Sequence, residues 1–237
     1  MTPEQAFADL LSTAPSRPFV TYYDESSGER SELSVKSAAN WVAKTHHLLA
    51  TELGLGVGDR ALVALPAHWI SVPVLLGCLT AGLELTDDPA LADIAFVSPT
   101  SLDGALTVPD VYAVAPDAAA VGFRDTPPAG SLDFVTAVRP QADAWSSVRL
   151  VASSDDPCLQ GYSRGEVVDL ARQRAVDLGL ASGGRLLTAR DWLTPADWID
   201  TLLAPLVVGG SVIYVRNCID ASVLERRMTQ ERATAHS

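Results

Sequence analysis

The stretch "GVGDRALVALPAHWISVPVLLGCLTAG", residues 56–82, decides how the chain is read. Its first residues form a turn, and "ALVAL" at 61–65 is a short continuous apolar run, the pattern of a strand covered on both faces. Pro66 has no backbone N–H to offer a ladder and ends the run, and the apolar residues up to Gly82 read as a buried helix. A strand followed closely by such a helix is the repeating unit of a parallel sheet with helices packed on it.

Outward from that unit, "IAFVS" at 94–98, "VYAVA" at 111–115, "VRLVA" at 148–152, "RLLTA" at 185–189 and "SVIYV" at 211–215 read as further core strands. Upstream, "FADLLSTA" reads as a short helix and "FVTYYDESSGERSELS" as two strands around the turn formers 24–28. Ser34 caps a helix whose apolar residues Val35, Ala38, Val42, Leu49 and Leu53 run to a stop at Gly54. Ser163, with Glu166 three residues on, makes a capping-box signature before "VVDLARQRAVDLGL". Thr194 and Pro195 open another helix that runs to Val208 and stops at Gly209 and Gly210. The expected fold class is α/β, a mostly parallel sheet with helices on both faces, forming a single domain over 1–237. Residues 117–140, rich in proline, glycine, alanine and aspartate, are expected to loop irregularly over the surface.

Composition narrows the function classes. With 29 acidic against 17 basic residues, the net charge of -12 disfavours nucleic acid and anionic membranes, both of which need clustered lysine and arginine. The longest apolar run, Trp69 to Leu83, is interrupted and falls short of the roughly 20 residues of a membrane span. Acidic Glu4 and Asp9 stand where a signal peptide is basic, so a cytoplasmic location is expected. Cys78, Cys158 and Cys218 are widely spaced and read as free thiols, with no metal-binding spacing among them.

The run "LSVKSAANWVAKTHHLLATELGLGVGDRALVALPAHWISVPVLLGCLTAG" resembles the N-terminal part of the adenylate-forming superfamily, which includes acyl-CoA synthetases and adenylation domains. A second run, "YSRGEVVDLARQRAVDLGLASGGRLLTARDWLTPADWIDTLLAPLVVGGSVIYV", is similar to a later helix, strand, helix and strand of the same superfamily. The resemblance covers 17–98 and 145–233 and implies the first half of the large N-terminal domain of those enzymes. In them a "YTSGTTGxPKG" loop holds the phosphates of ATP: glycines let the backbone approach the oxygens, and a lysine supplies charge. Counting back from Ser163 without gaps, Pro157 falls on the loop's proline, Cys158 on its lysine, and Asp155 on a glycine, with Asp156 next to it. Ser153 and Ser154 complete the degenerate segment. Two carboxylates facing a triphosphate are repulsive, about 4 kcal/mol for charges about 4 Å apart at an effective dielectric of about 20. No glycine-rich, lysine-bearing run occurs anywhere in 140–165. The resemblance also implies a following half-domain with the base and ribose contacts and a lid lysine, for which this sequence has no counterpart.

Other candidates read more plainly as structure. "GLGVGDR" at 54–60 follows a helix and precedes a strand, the reverse of a dinucleotide site, and reads as a helix stop and turn. His46 and His47 are adjacent and so cannot share one helix face as metal ligands, and neither His68 nor His236 has a carboxylate or cysteine at ligand spacing. Ser153 and Ser154 beside Asp155 lack a nucleophile elbow, and Trp192 and Trp198 read as packing residues. The expectation is a non-catalytic relative of adenylate-forming enzymes, with no catalytic residue, cofactor or metal, that binds a small molecule or a protein. The alternative is ATP-dependent acyl activation with a second chain supplying the missing half. Because "TLLAPLVVGGSVIYV" at 201–215 carries no charge, an exposed apolar face covered by a homodimer, or by a protein partner, is also expected.

Overall fold

A computed structural model describes residues 1–115, 120–218 and 220–237. The strands are β1 (Pro18–Asp24), β2 (Glu29–Ser34), β3 (Arg60–Ala64), β4 (Glu84–Thr86), β5 (Ile94–Val97), β6 (Asp110–Ala113), β7 (Leu132–Asp133), β8 (Pro157–Leu159), β9 (Tyr162–Ser163), β10 (Arg185–Thr188), β11 (Ser211–Arg216) and β12 (Ala235–His236). The helices are α1 (Pro3–Thr13), α2 (Val35–His47), α3 (Ser71–Ala81), α4 (Phe134–Val138), α5 (Arg164–Asp177), α6 (Pro195–Trp198), α7 (Ala204–Val207) and α8 (Ala221–Gln230). The chain forms two compact units: unit 1 holds 1–38, 67–72 and 165–237, and unit 2 holds 39–66 and 73–164. The fold is α/β with mostly parallel strands, and the strands lie in two sheets, one in each unit, where the sequence suggested one.

Unit 1 has the strand order β12-β10-β11-β1-β2, antiparallel only between β1 and β2. Its central pairing sets Val20 beside Val212 and Tyr22 beside Tyr214. The α1 helix starts where Thr2 and Gln5 cap each other reciprocally, satisfying amides at the helix start. At the opening of α6, Asp197 accepts hydrogen bonds from the amides of Leu193 and Thr194. Most of the charge-free stretch at 201–215 is core here: residues 201–206 and 211–215 are buried, and 207–209 are half-buried. The edges carry protection of their own, because β2 reads "ERSELS" and β12 is two residues long.

Unit 2 has the order β7-β6-β5-β3-β4-β8-β9, antiparallel only between β8 and β9. Leu62, Ala95, Val97, Leu102, Val108 and Val111 form one of its apolar clusters. Ser34 accepts the amide of Ser37 at 3.1 Å and so caps α2. That helix does not stop cleanly: Leu48–Glu52 continue it as a π-helical turn before Gly54, at φ +71°, ends it. The "GLGVGDR" turn then closes when Asp59 accepts the Gly56 amide at 2.7 Å. α3 is apolar around most of its surface, as suits an interior helix, and Gly77 is where it meets Thr45, since a Cβ there would overlap that side chain.

Two sequence expectations fail in unit 2. "VRLVA" at 148–152 joins no ladder, because the position beside β4 is taken by β8 through Leu85 and Leu159, and Val151 is left 65% exposed. The expected loop at 117–140 contains β7 and α4, held by the Asp133 carboxylate on the Val135 amide at 2.9 Å and by burial of Phe134, Val135 and Val138. Residues 117–119 of that loop lie outside the described residues. Among the described residues, no helix is long and apolar enough to cross a membrane.

Candidate functional site

The degenerate loop falls at the entry to α5. Pro157–Leu159 and Tyr162–Ser163 form a hairpin whose two turn residues, Gln160 and Gly161, both have positive φ of 45° and 86°. That is the turn whose twist matches an antiparallel pair. The second strand runs directly into α5, so the segment just before the hairpin is fixed by covalent geometry and by one hydrogen bond, from the Arg164 amide to the Asp156 carbonyl at 3.0 Å.

That preceding segment is a turn closed on itself. The Ser153 amide donates to the Asp156 carboxylate at 2.6 Å, and the Asp156 amide donates back to the Ser153 carbonyl at 3.3 Å. The Asp155 amide donates to the Ser153 hydroxyl oxygen at 3.4 Å, and Ser154 reaches the Asp155 carboxylate at 3.5 Å. Hydrogen bonds from Ser153, with the Arg164 charge adding to them, hold the Asp156 carboxyl below its ordinary range, so it is an anion at neutral pH. Phosphate cradles work by pointing several amides at an outside oxygen. Here an internal carboxylate already occupies the Ser153 amide.

Pro157 is exposed, while Cys158 is buried at 1% exposure and takes part in no disulfide. The side chain at the position aligned with the lysine is therefore withdrawn from solvent. The six candidate residues, Ser153 to Cys158, are together in space, as a sequence-local turn and strand must be.

Sequence reasoning missed Arg164. It is fully buried, and its guanidinium donates to the Leu79 carbonyl at 2.9 Å and the Leu83 carbonyl at 3.0 Å. These carbonyls lie at the C-terminal end of α3, where the helix dipole favours a cation. A single arginine between Ser163 and Glu166 looks like a solvated first-turn residue, so no sequence signal marks it. The histidine pair is a helix feature: the His46 and His47 rings stand perpendicular with centroids 5.2 Å apart. Among the described residues, no group of three or more potential metal ligands occurs. Trp192 and Trp198 meet edge to face at 6.4 Å, both buried, with the Trp192 indole N–H on Thr201 at 3.0 Å.

A hairpin feeding α5, a parallel sheet in each unit and an apolar α3 define the N-terminal half of the adenylate-forming ligase fold. The chain superimposes on an acyl-CoA synthetase of Brucella canis with a TM-score of 0.78 at 16% identity, over 100% of this chain and 47% of that one. It superimposes on a benzoate CoA ligase from Burkholderia xenovorans LB400 with a TM-score of 0.74 at 16% identity, over 100% and 50%. The chain thus spans about half the length of these solved structures, and at such identities the likeness is one of fold. In sequence it is 34% identical over 232 residues to a TIGR03089 family protein of Mycobacterium tuberculosis (strain ATCC 25618 / H37Rv), covering 95% of this chain and 93% of that protein. The chain belongs to the TIGR03089 family. No family model matches the sequence.

Proposed function

We propose that this protein is a non-catalytic member of the adenylate-forming fold, which binds a small molecule or a protein partner and does not activate carboxylic acids with ATP. The observation that carries the proposal is the Asp156 carboxylate on the Ser153 amide at 2.6 Å, an internal anion where the resemblance puts a phosphate cradle. Asp155 beside it adds a second negative charge, and burial of Cys158 removes the lysine position from solvent. A triphosphate entering here displaces one carboxylate and faces another, and no side chain of Ser153 to Cys158 offers it a compensating cation.

Pyrophosphate exchange by the purified chain tests this, with a panel of aliphatic and aromatic acids. The expected result is background exchange with every acid. Exchange that depends on an added acid overturns the proposal. As an independent check, millimolar Mg-ATP is expected to leave the melting temperature unchanged, since a ligand stabilises only in proportion to RT ln(1 + [L]/Kd).

A further inference from the structure

Unit 2 contains a cleft of about 220 Å³, part of whose wall is the stretch that failed to become a strand. It is lined by His46, His47 and Thr51 at the end of α2 and in its π-helical turn, by Ser147 at the end of a 3-10 turn, and by Arg149 and Val151 on the extended segment that follows. Ala50, Leu55 and Ala81 supply apolar surface.

A chain of hydrogen bonds ties the two walls together: the Ser147 hydroxyl lies 2.6 Å from the Ala144 carbonyl and 2.8 Å from His47 Nε2. His47 Nδ1 lies 3.3 Å from the Thr51 hydroxyl oxygen. His46 is buried, and burial together with the neighbouring His47 pushes its pKa down, so it stays neutral. The one arginine or lysine lining the cleft is Arg149, whose guanidinium makes no hydrogen bond or ion pair with any described residue. The backbone of residues 149–152 likewise makes no hydrogen bond within the described chain. π-helical turns of the kind at 48–52 occur often at functional sites.

We propose that this cleft binds a small organic acid, with its carboxylate on the Arg149 guanidinium and its short hydrocarbon body against Ala50, Leu55, Ala81 and Val151. The guanidinium fork matches a carboxylate in two parallel hydrogen bonds. A single cation balances one negative charge, which favours a carboxylate over a phosphate dianion. Liquid water takes about 30 Å³ per molecule, so the cleft holds roughly seven waters, or a ligand of roughly six to ten heavy atoms. This inference rests on the binding reading above and gives that reading a place and a ligand class.

The test is a titration of the isotope-labelled full chain with butyrate, read on the Arg149 side-chain N–H and the His47 ring nitrogens. Inorganic phosphate supplies charge without a body, and butanol a body without charge. Saturable shifts at both residues with millimolar butyrate are expected, with phosphate and butanol at least about tenfold weaker. Arg149→Ala, an exposed position, is expected to weaken butyrate about tenfold or more, with Arg149→Lys falling between. Absence of saturation, equal binding of phosphate, or unchanged affinity in Arg149→Ala overturns the proposal. Pyrophosphate exchange on the same sample separates the two readings: exchange alongside butyrate binding overturns the non-catalytic reading and leaves the cleft, whereas neither exchange nor binding overturns the cleft alone.

Discussion

Both units bury the central strands of their sheets, and they differ in the ion networks around them. In unit 2 the sheet is dry: Ile94, Ala95, Phe96 and Val97 of β5 are all at 0% exposure, and the buried cation Arg164 is bonded to helix carbonyls. Unit 1 places ion networks around its sheet and helices. Glu231 accepts from the Tyr23 hydroxyl, from Arg30 at 3.1 Å and from Arg185 at 2.8 Å. Arg227 lies 3.9 Å from the centroid of the Tyr23 ring and pairs with Glu25 at 2.8 Å. A second network joins Arg174 to Asp200 at 2.7 Å and Arg190 to Asp197 at 2.6 Å. Acid should therefore be felt most in unit 1, while packing defects should be felt in both.

The largest effect belongs to Arg164→Ala. It empties a fully buried volume and removes two hydrogen bonds, the Leu83 carbonyl losing its arginine partner while the Leu79 carbonyl keeps the Gly82 amide, and the combined loss is expected to be about 4 kcal/mol in denaturant unfolding. A loss under about 1 kcal/mol means the site collapses freely. Gly77→Ala follows at about 3 kcal/mol, because the new methyl overlaps Thr45, which is itself at 0% exposure. Pairing it with Thr45→Gly removes the overlapping atoms and should recover part of the loss, which a double-mutant cycle reads directly.

Electrostatics come next. Burial works against ionising Glu231, Asp197 and Asp200, but hydrogen bonds and neighbouring arginines outweigh it and hold all three carboxyls below their ordinary range. Their contribution is complete above the unfolded values near about pH 4 and is lost as pH falls through the lower folded values. Hydrogen exchange measured from pH 6 downward should show β10 and β12 of unit 1 losing protection before β3 and β5 of unit 2. Glu231→Gln should cost about 2 kcal/mol at neutral pH, discounted because Arg30 is partly exposed, and should flatten the acid response of unit 1. Equal acid sensitivity in both units breaks the comparison.

Much of the fold was legible because each reading rested on a local cause. Continuous apolar runs marked β3, β5, β10 and β11, and the Ser34 cap and the Gly54, Gly209 and Gly210 stops bounded their helices. What escaped depended on partners distant in sequence. "VRLVA" has strand composition, but pairing needs a free neighbour, and β8 is beside β4 instead. Arg164 and Glu231 were invisible for the same reason, since their partners lie 81 to 85 and 46 to 208 residues away. Within the candidate site, the residue types were plain and the consequence was not: aspartates at 155 and 156 were read as repulsive, yet Asp156 is an acceptor that completes the turn. His47 was weighed as a metal ligand, while its place beside Ser147, 100 residues on, is what builds the cleft.

The smallest expected effect separates these two aspartates. Among the described residues, Asp155 uses its carboxylate only for the Ser154 hydroxyl at 3.5 Å, whereas Asp156 holds the Ser153 amide at 2.6 Å. Asp155→Gly restores the glycine that the adenylate-forming pattern has at this place. It removes one charge and adds backbone freedom to the unfolded chain, so the net change should be within about 1 kcal/mol, mostly entropic. Nucleotide should still not bind, because the Ser153 amide remains bonded to Asp156. If Asp155→Gly gains a clear Mg-ATP stabilisation, the obstacle was charge at 155 and not the closed turn, and the reading of this loop has to move one residue back. If it gains none, while Asp156→Asn loosens the turn and speeds exchange at the Ser153 amide, the self-satisfied carboxylate is what keeps phosphate out.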